Sequence, residues 1–450
     1  MSLSLEKIAN LEIIKTLLTI VKWIIIPLSY FIGFLSSYWT YHSPTTEDIQ
    51  NIQEKSDQRI ISELRGRDGI IKTELEKRTQ IVSRDSKNAF IEQFTKNKGN
   101  KDVLRVLAKE NASYLNEMTI GALDFSGLDM FRARLDGSRF EATNFSETNL
   151  EEMFCSKTKF LDVNMSQVNM QYAYCDGPLF IHTNLSGAKA SQVTMNHAGF
   201  QESDLTEADF AHAQLPFIRV SGGDLSNADF TSTNLSNAVI EGVHLEKVNF
   251  TFSELANSRF TGNKIVDAIF SGTNLEQSDF GPYVIQVPNH PEALLPASTI
   301  WDTEFQDVRA KQSKFDLATL TRVKFNDRST LDQSSFARTK LKEVTFDNSS
   351  LKKASFIRAT VKDTFFDSTS LEGSIFEGAT LTDVVFSSAN LKDATFKAAT
   401  FKNVSFEDTV LDGATWVNGE RCRANSKGRC CKQPEWKTLF LGVVMCLEAQ

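Results

Sequence analysis

Proline is scarce, 9 residues in 450, and glycine is modest at 22, which excludes a collagen-like chain. Six cysteines are too few for a small disulfide-stapled scaffold. Positive charge is not in excess: 49 Lys/Arg face 57 Asp/Glu, and the net −8 disfavours phosphate-backbone binding by the chain as a whole. Glycine-rich phosphate loops, GxSxG elbows and HExxH helices are missing, so the common signatures of nucleotide binding and hydrolysis are not present. Tyrosine and tryptophan are few, 7 and 5, beside 34 phenylalanines. That skew calls for a repeated slot that accepts a ring and refuses a polar group.

Charge is unevenly placed. Residues 121–300 carry 10 Lys/Arg against 22 Asp/Glu, whereas 301–417 are near balance at 16 against 17. One long uncharged run stands near the N-terminus, Trp23 to Tyr41. Its 19 residues nearly match the roughly 30 Å of a bilayer core, and Trp23, Tyr38, Trp39 and Tyr41 flank it as interfacial residues do. A transmembrane helix is expected at 23–41, in contact with the lipid bilayer, after a short segment 1–22. Lys7, Lys15 and Lys22 precede the span and only Lys55 and Arg59 follow closely, which favours a cytoplasmic N-terminus with the bulk exoplasmic, periplasmic or lumenal. Residues 46–118 read as a helical or coiled-coil stalk, with Ile49, Ile60, Ile71 and Val82 recurring every eleven positions. Either it oligomerises the chain or it is a solvated spacer helix. The stretch 97–100 marks a break, with a shorter helix from Lys101 to Glu117 after it.

Beyond residue 119 the period is five. From Phe125 to Phe280 every fifth residue is apolar, 32 positions without a miss. The series returns at Phe305, slips by one residue after Phe325, and runs from Leu331 to Trp416. Neither 3.6 nor 2 divides this period, so it is a solenoid whose units bury their apolar side by stacking on neighbours. Of the 34 phenylalanines, 24 occupy these slots. Small residues stand two positions before the slot, and Asp or Asn often one before it, as in ADFAH, GDLSN, ADFTS, TNLSN and ANLKD.

These units resemble the pentapeptide-repeat family over residues 119–417. The resemblance implies an all-β solenoid, a right-handed quadrilateral β-helix with four pentads to a coil. Residues 20 apart should then stack, and Phe336, Phe356, Phe376 and Phe396 form such a row, with Phe346, Phe366, Phe386 and Phe406 as a second.

The segment 281–304 holds Pro282, Pro288, Pro291 and Pro296 and should leave the coil as a loop. It is either a recognition loop, with Tyr283 and His290 beside the prolines, or a seam between two sub-arrays. His182, His197 and His212 recur every 15 residues, three pentads, so each falls on a different side of the coil and no shared metal ion is expected. Cys155 and Cys175 occupy successive slots and read as small apolar fillers. Cys422, Cys430, Cys431 and Cys446 lie in a C-terminal cap, 418–450, as candidate disulfides or, alternatively, a zinc site.

No cofactor or catalytic residue is expected. The chain reads as a membrane-anchored, non-enzymatic scaffold or assembly protein presenting its β-helix to a protein partner. The alternative, implied by the family resemblance and the acidic first half, is a DNA mimic that modulates a DNA-binding enzyme such as a type II topoisomerase. Nucleic acid itself is not an expected partner.

Overall fold

In the computed structural model, residues 88–97, 100–112, 115–285 and 293–431 are described. The span 23–41, most of the stalk 46–118 and the end of the cap 418–450 lie outside them. Among the described residues no helix is long and apolar enough to cross a membrane.

The slot residues explain the architecture. Each sits in a short strand or directly after a single bridge residue, and the strands and bridges pair in parallel with those one coil on. Phe140 lies over Phe160, and Phe160 over Phe180. Separations of 20 hold from Ile120 to Leu245, so four pentads close one coil. Four faces result. Face 1 carries slots 120, 140 and onward to 396 and 416; face 2 runs from 125 to 401, face 3 from 130 to 406, and face 4 from 135 to 411. About 14 coils stack in this way.

Every pentad turns at the second residue after its slot, and nearly every such corner is left-handed: Arg132 at φ 59°, Glu207 at 58°, Lys353 at 57°. Only some corners are glycine, so the repeat forces ordinary side chains into a conformation they resist. Gly223 is the one place where a side chain could not enter. Its φ is 88°, and an added Cβ would stand 2.1 Å from the Ser203 carbonyl oxygen.

The core is a ring zipper. On face 1, Phe336, Phe356 and Phe376 stack at 5.0 and 4.6 Å; on face 3, Phe346 and Phe366 stack at 4.9 Å. The two columns meet edge to face, Phe346 to Phe356 at 6.1 Å and 86°. Both geometries suit the ring quadrupole, and a phenol or indole would bury an unpaired polar atom there. The small inward residue two before the slot is often Ser or Thr. Its hydroxyl donates to a slot carbonyl of the preceding coil, as Thr369 does to Phe346 at 2.7 Å and Thr273 to Phe250 at 2.8 Å.

Two interruptions are accommodated differently. Between 325 and 331 the extra residue is absorbed at one corner, where Asp327 and Arg328 both turn left-handed, at 51° and 71°. Between faces 1 and 2, a hairpin leaves the coil with Tyr283–Ile285 antiparallel to Ala293–Leu295. The coil resumes earlier than the period-five reading placed it: Ile300 is a fully buried slot paired with Ile265 and Leu320. The excursion therefore ends before 299 rather than at 304, because the count of five was kept through the insertion and Ile300 was hidden in it.

The last part of the expected stalk is a cap on the first coil. Helix 88–96 and helix Lys101–Asn111 bury Phe90, Phe94, Leu104 and Ala108, and the Phe94 ring lies 4.6 Å from that of Phe125. Asn100 caps the second helix by accepting from the Val103 N–H at 3.3 Å. That helix stops at Asn111, six residues short of the expected Glu117. At the other end, residues Arg421 and Lys427 pair antiparallel with Thr415 and Val410, closing part of the last coil.

Candidate functional site

The three histidines stand on three different corners. His182 lies between Asp162 and Glu202, at 3.3 and 3.2 Å, on one corner column. His197 stacks on Phe217 at 5.2 Å on a second, and His212 turns a third. They cannot meet on one ion.

Cys155 and Cys175 differ from the expected filler role: they form a disulfide between successive face 4 slots, wholly buried, with Cα atoms 4.5 Å apart. Adjacent coils bring their Cα atoms within bonding range wherever both slots hold cysteine. Cys422 and Cys430 form a second disulfide, and Cys431 is also disulfide-bonded. Cys446 lies outside the described residues.

Of the recognition-loop residues, Pro288, His290 and Pro291 lie outside the described residues. Tyr283 is pinned by its base: the Arg259 guanidinium sits 3.6 Å from the ring centroid and bonds Glu241 at 3.0 Å, with both charged groups largely covered. Pro296 packs toward Gly262 on the neighbouring corner. Val284 and Leu294 face one another across the hairpin and are both exposed. The hairpin is thus anchored on face 1 while offering an apolar pair to solvent.

A second exposed cluster escaped the sequence reading. On coils two and three, Phe154 and Tyr174 are bridge partners on face 4, beside Tyr172 on the adjoining corner and Phe131 one coil earlier. Each is 40–50% exposed. Arg134 lies over Phe154 and Arg132 over Phe131, at 5.5 and 4.9 Å. Arg132 also bonds Glu152 at 2.6 Å, and Tyr172 accepts from Gln192 at 3.3 Å. A signal existed: aromatic residues out of register with the period of five are the ones that point outward, as Phe217, Phe252 and Phe365 do elsewhere.

A shallow depression of about 650 Å³ runs along the corner between faces 3 and 4, where Phe252 lies over Gly272 and the inserted Asp327–Arg328 pair widens the turn. Its carboxylates do not converge on a common point with a base or nucleophile. On face 3, Asp347 has its pKa raised by burial and by Asp367 beside it, against the Asp367 N–H that it accepts. On face 2, hydrogen bonding from Arg322 holds Asp302 below the ordinary carboxylate value.

Comparison with known proteins agrees with this geometry. Residues 179–216, 219–246 and 244–281 match the model for pentapeptide repeats (8 copies), and 339–416 match that for a pentapeptide repeat region. No curated protein matches the chain by sequence. Among solved structures, the chain is similar to a trypsin-treated form of QnrB1, a plasmid-mediated fluoroquinolone resistance protein, at 16% identity, covering 45% of this chain and 89% of that one, with a TM-score of 0.24. It is also similar to HetL, a pentapeptide repeat protein involved in heterocyst differentiation regulation from the cyanobacterium Nostoc sp. strain PCC 7120, at 15% identity, covering 70% and 97%, with a TM-score of 0.18. Rfr23 from the cyanobacterium Cyanothece 51142 gives 21% identity, coverage of 33% and 91%, and a TM-score of 0.15. The matched segments lie within the array whose coil geometry runs from Ile120 to Trp416, and over them the β-helix is similar to pentapeptide repeats.

Proposed function

We propose that this chain is a non-enzymatic interaction scaffold, tethered to a membrane through residues 23–41, that presents its β-helix to a protein partner on the exoplasmic side. The observation that carries the interaction part is the cluster of Phe131, Phe154, Tyr172 and Tyr174 with Arg132 and Arg134. Exposed aromatic side chains with arginine at their rim have the composition of protein-binding hot spots, and a β-helix holds them with little conformational freedom to lose. The paired cysteines at 155–175 and 422–430 support the exoplasmic placement, since such bonds persist in oxidising compartments. The test is site-specific photo-crosslinking in cells producing the full chain, with the photoreactive residue at Tyr174 and, as a control, at Ser370 on the same face further along. A discrete protein adduct at Tyr174 that is absent at Ser370 and lost in Tyr172→Ser/Phe154→Ser supports the reading; equal or no adducts at both positions overturn it.

The net −12 of residues 121–300 favours a second reading, a DNA-mimicking modulator of a DNA-binding enzyme. It requires a cytoplasmic β-helix. Inhibition of supercoiling by a type II topoisomerase in the presence of the purified chain is its direct test.

A further inference from the structure

Face 2 changes sign along its length. In its first six coils the residues flanking the slots are Asp124, Asp204 and Asp224, three asparagines, and a continuous row of serine or threonine, with no lysine or arginine. In each of these aspartates one carboxylate oxygen accepts from the backbone N–H two residues on, as Asp204 does from Thr206 at 2.9 Å. In its last four coils the flanking residues are Lys340, Lys342, Lys362 and Lys402, all exposed, among threonines, with no acid. The bordering corners sharpen the contrast at the acidic end, through Glu147 and Glu207. At the lysine end they are mixed: Arg338 and Arg358 on one side, Glu343, Asp363 and Asp383 on the other. Lys342 and Lys362 lean on Glu343 and Asp363 at 3.1 and 3.7 Å. Exposed pairs of this kind are weak and exchange readily for others.

Between the two halves the face carries His244, Glu246 and Lys264, then Trp301, then two threonines. Trp301 is 38% exposed and lies in register with Val266 on the preceding coil. Trp301 is on the ninth of the fourteen face 2 coils, with the aspartates before it and the lysines after it. Turning one copy end for end about a two-fold axis between the coils of Val266 and Trp301 places Lys340 and Lys342 over the other copy's Asp224, and Lys362 over its Asp204, with the same contacts repeated in reverse.

We propose that face 2 is the contact surface between two copies of this chain, packed face to face and antiparallel, with Trp301 near the axis. The twelve coils that then overlap, at roughly 4.8 Å each, give a contact about 58 Å long, and three strand residues make it about 10 Å wide. That is on the order of 600 Å² per copy, at the lower end of the range for standard stable interfaces. Both charge contacts are repeated by the symmetry, as an isologous interface requires. The inference is independent of the partner surface around Tyr174, which lies on face 4.

The test is sedimentation equilibrium of the full chain in detergent at 0.1 M NaCl, compared with two reversal variants. One is Lys340→Glu/Lys342→Glu/Lys362→Glu; the other is Asp204→Lys/Asp224→Lys. Far-UV circular dichroism and the thermal midpoint establish that both remain folded. The expected result is a dimer that each reversal weakens by at least ~10-fold, because like charges then face each other. Mixing the two variants restores it, because each then offers the other the missing sign. Raising salt to 1 M, where the Debye length falls from about 10 Å to about 3 Å, weakens the native dimer. A monomer at all concentrations overturns the proposal. So does an oligomer whose mass ignores both reversals, which would place association elsewhere in the chain, such as residues 46–118. If the native chain is monomeric yet binds heparin, and only the lysine reversal abolishes that binding, the lysine half serves a polyanion and the proposal fails.

Discussion

At the scale of single residues, the inward hydroxyls separate into two groups. Thr369 donates to Phe346, whereas the hydroxyls of Ser258, Ser278, Ser334 and Ser374 are buried with no hydrogen-bond partner. All four serines precede phenylalanine slots on face 1. A buried hydroxyl without a partner costs about 1–3 kcal/mol, and removing it leaves only a small void. Ser374→Ala should therefore raise the thermal midpoint, while Thr369→Val should lower it by removing the shorter of the two hydrogen bonds to the Phe346 carbonyl, leaving only the one from the Ser349 N–H at 3.3 Å; paired denaturation curves measure both. Asp347 offers a pH-dependent case. Burial raises its folded pKa above the ordinary 3.8, so the ionised form is penalised in the fold at neutral pH. As pH falls through that raised value, the native state takes up the proton first and the penalty fades. Asp347→Asn keeps the oxygen that accepts from Asp367 and should stabilise by less than about 1 kcal/mol at pH 7. The gain should shrink toward zero as the pH approaches 3.8, and a gain that grows with acid would contradict the assignment.

At the scale of the coil, each phenylalanine serves two columns at once. Phe356 stacks between Phe336 and Phe376 and meets Phe346 and Phe366 edge to face. Phe356→Ala should cost about 3–5 kcal/mol, and Phe356→Leu appreciably less. Stability in a solenoid is nearest-neighbour, so the lesion should also split the unfolding transition in calorimetry, with residues C-terminal to the site melting earlier. This level was the most legible in the sequence, because the period of five is imposed by a single requirement, an inward apolar residue in every pentad. Ile300 was hidden only because proline and the inserted hairpin interrupted the count. The Cys155–Cys175 bond was not readable as such, since a slot position says that two cysteines are neighbours in adjacent coils, and not that their sulfurs join. The outward cluster at Phe131, Phe154, Tyr172 and Tyr174 was obscured for the opposite reason: the same residue type fills the core, so only its register distinguishes it. The cap formed by Phe90 and Phe94 lay inside a stretch whose eleven-residue pattern pointed to a stalk, and what decides between the two is a tertiary contact with Phe125.

At the scale of the whole chain, two features bear on which side of a membrane the β-helix occupies, and they rest on different physics. The lysines at 7, 15 and 22 act during insertion, through the asymmetry of charge across the bilayer. The disulfides act after folding, through the redox poise of the compartment. A cytoplasmic β-helix would have its C-terminal cysteines kept reduced, and the acidic first half would then be available to a DNA-binding enzyme. An exoplasmic one would keep Cys422 joined to Cys430 and remove that role altogether. Labelling with a membrane-impermeant maleimide separates the two. On intact cells, or cells with only the outer barrier opened, an exoplasmic chain should label at 430 and 431, both half-buried, only after a reductant is added. Cys155 and Cys175, wholly buried, should stay unlabelled until the protein is denatured. Labelling that needs no reductant and appears only once the membrane bearing the anchor is permeabilised would reverse the orientation, and with it the choice between a protein-binding scaffold and a DNA mimic.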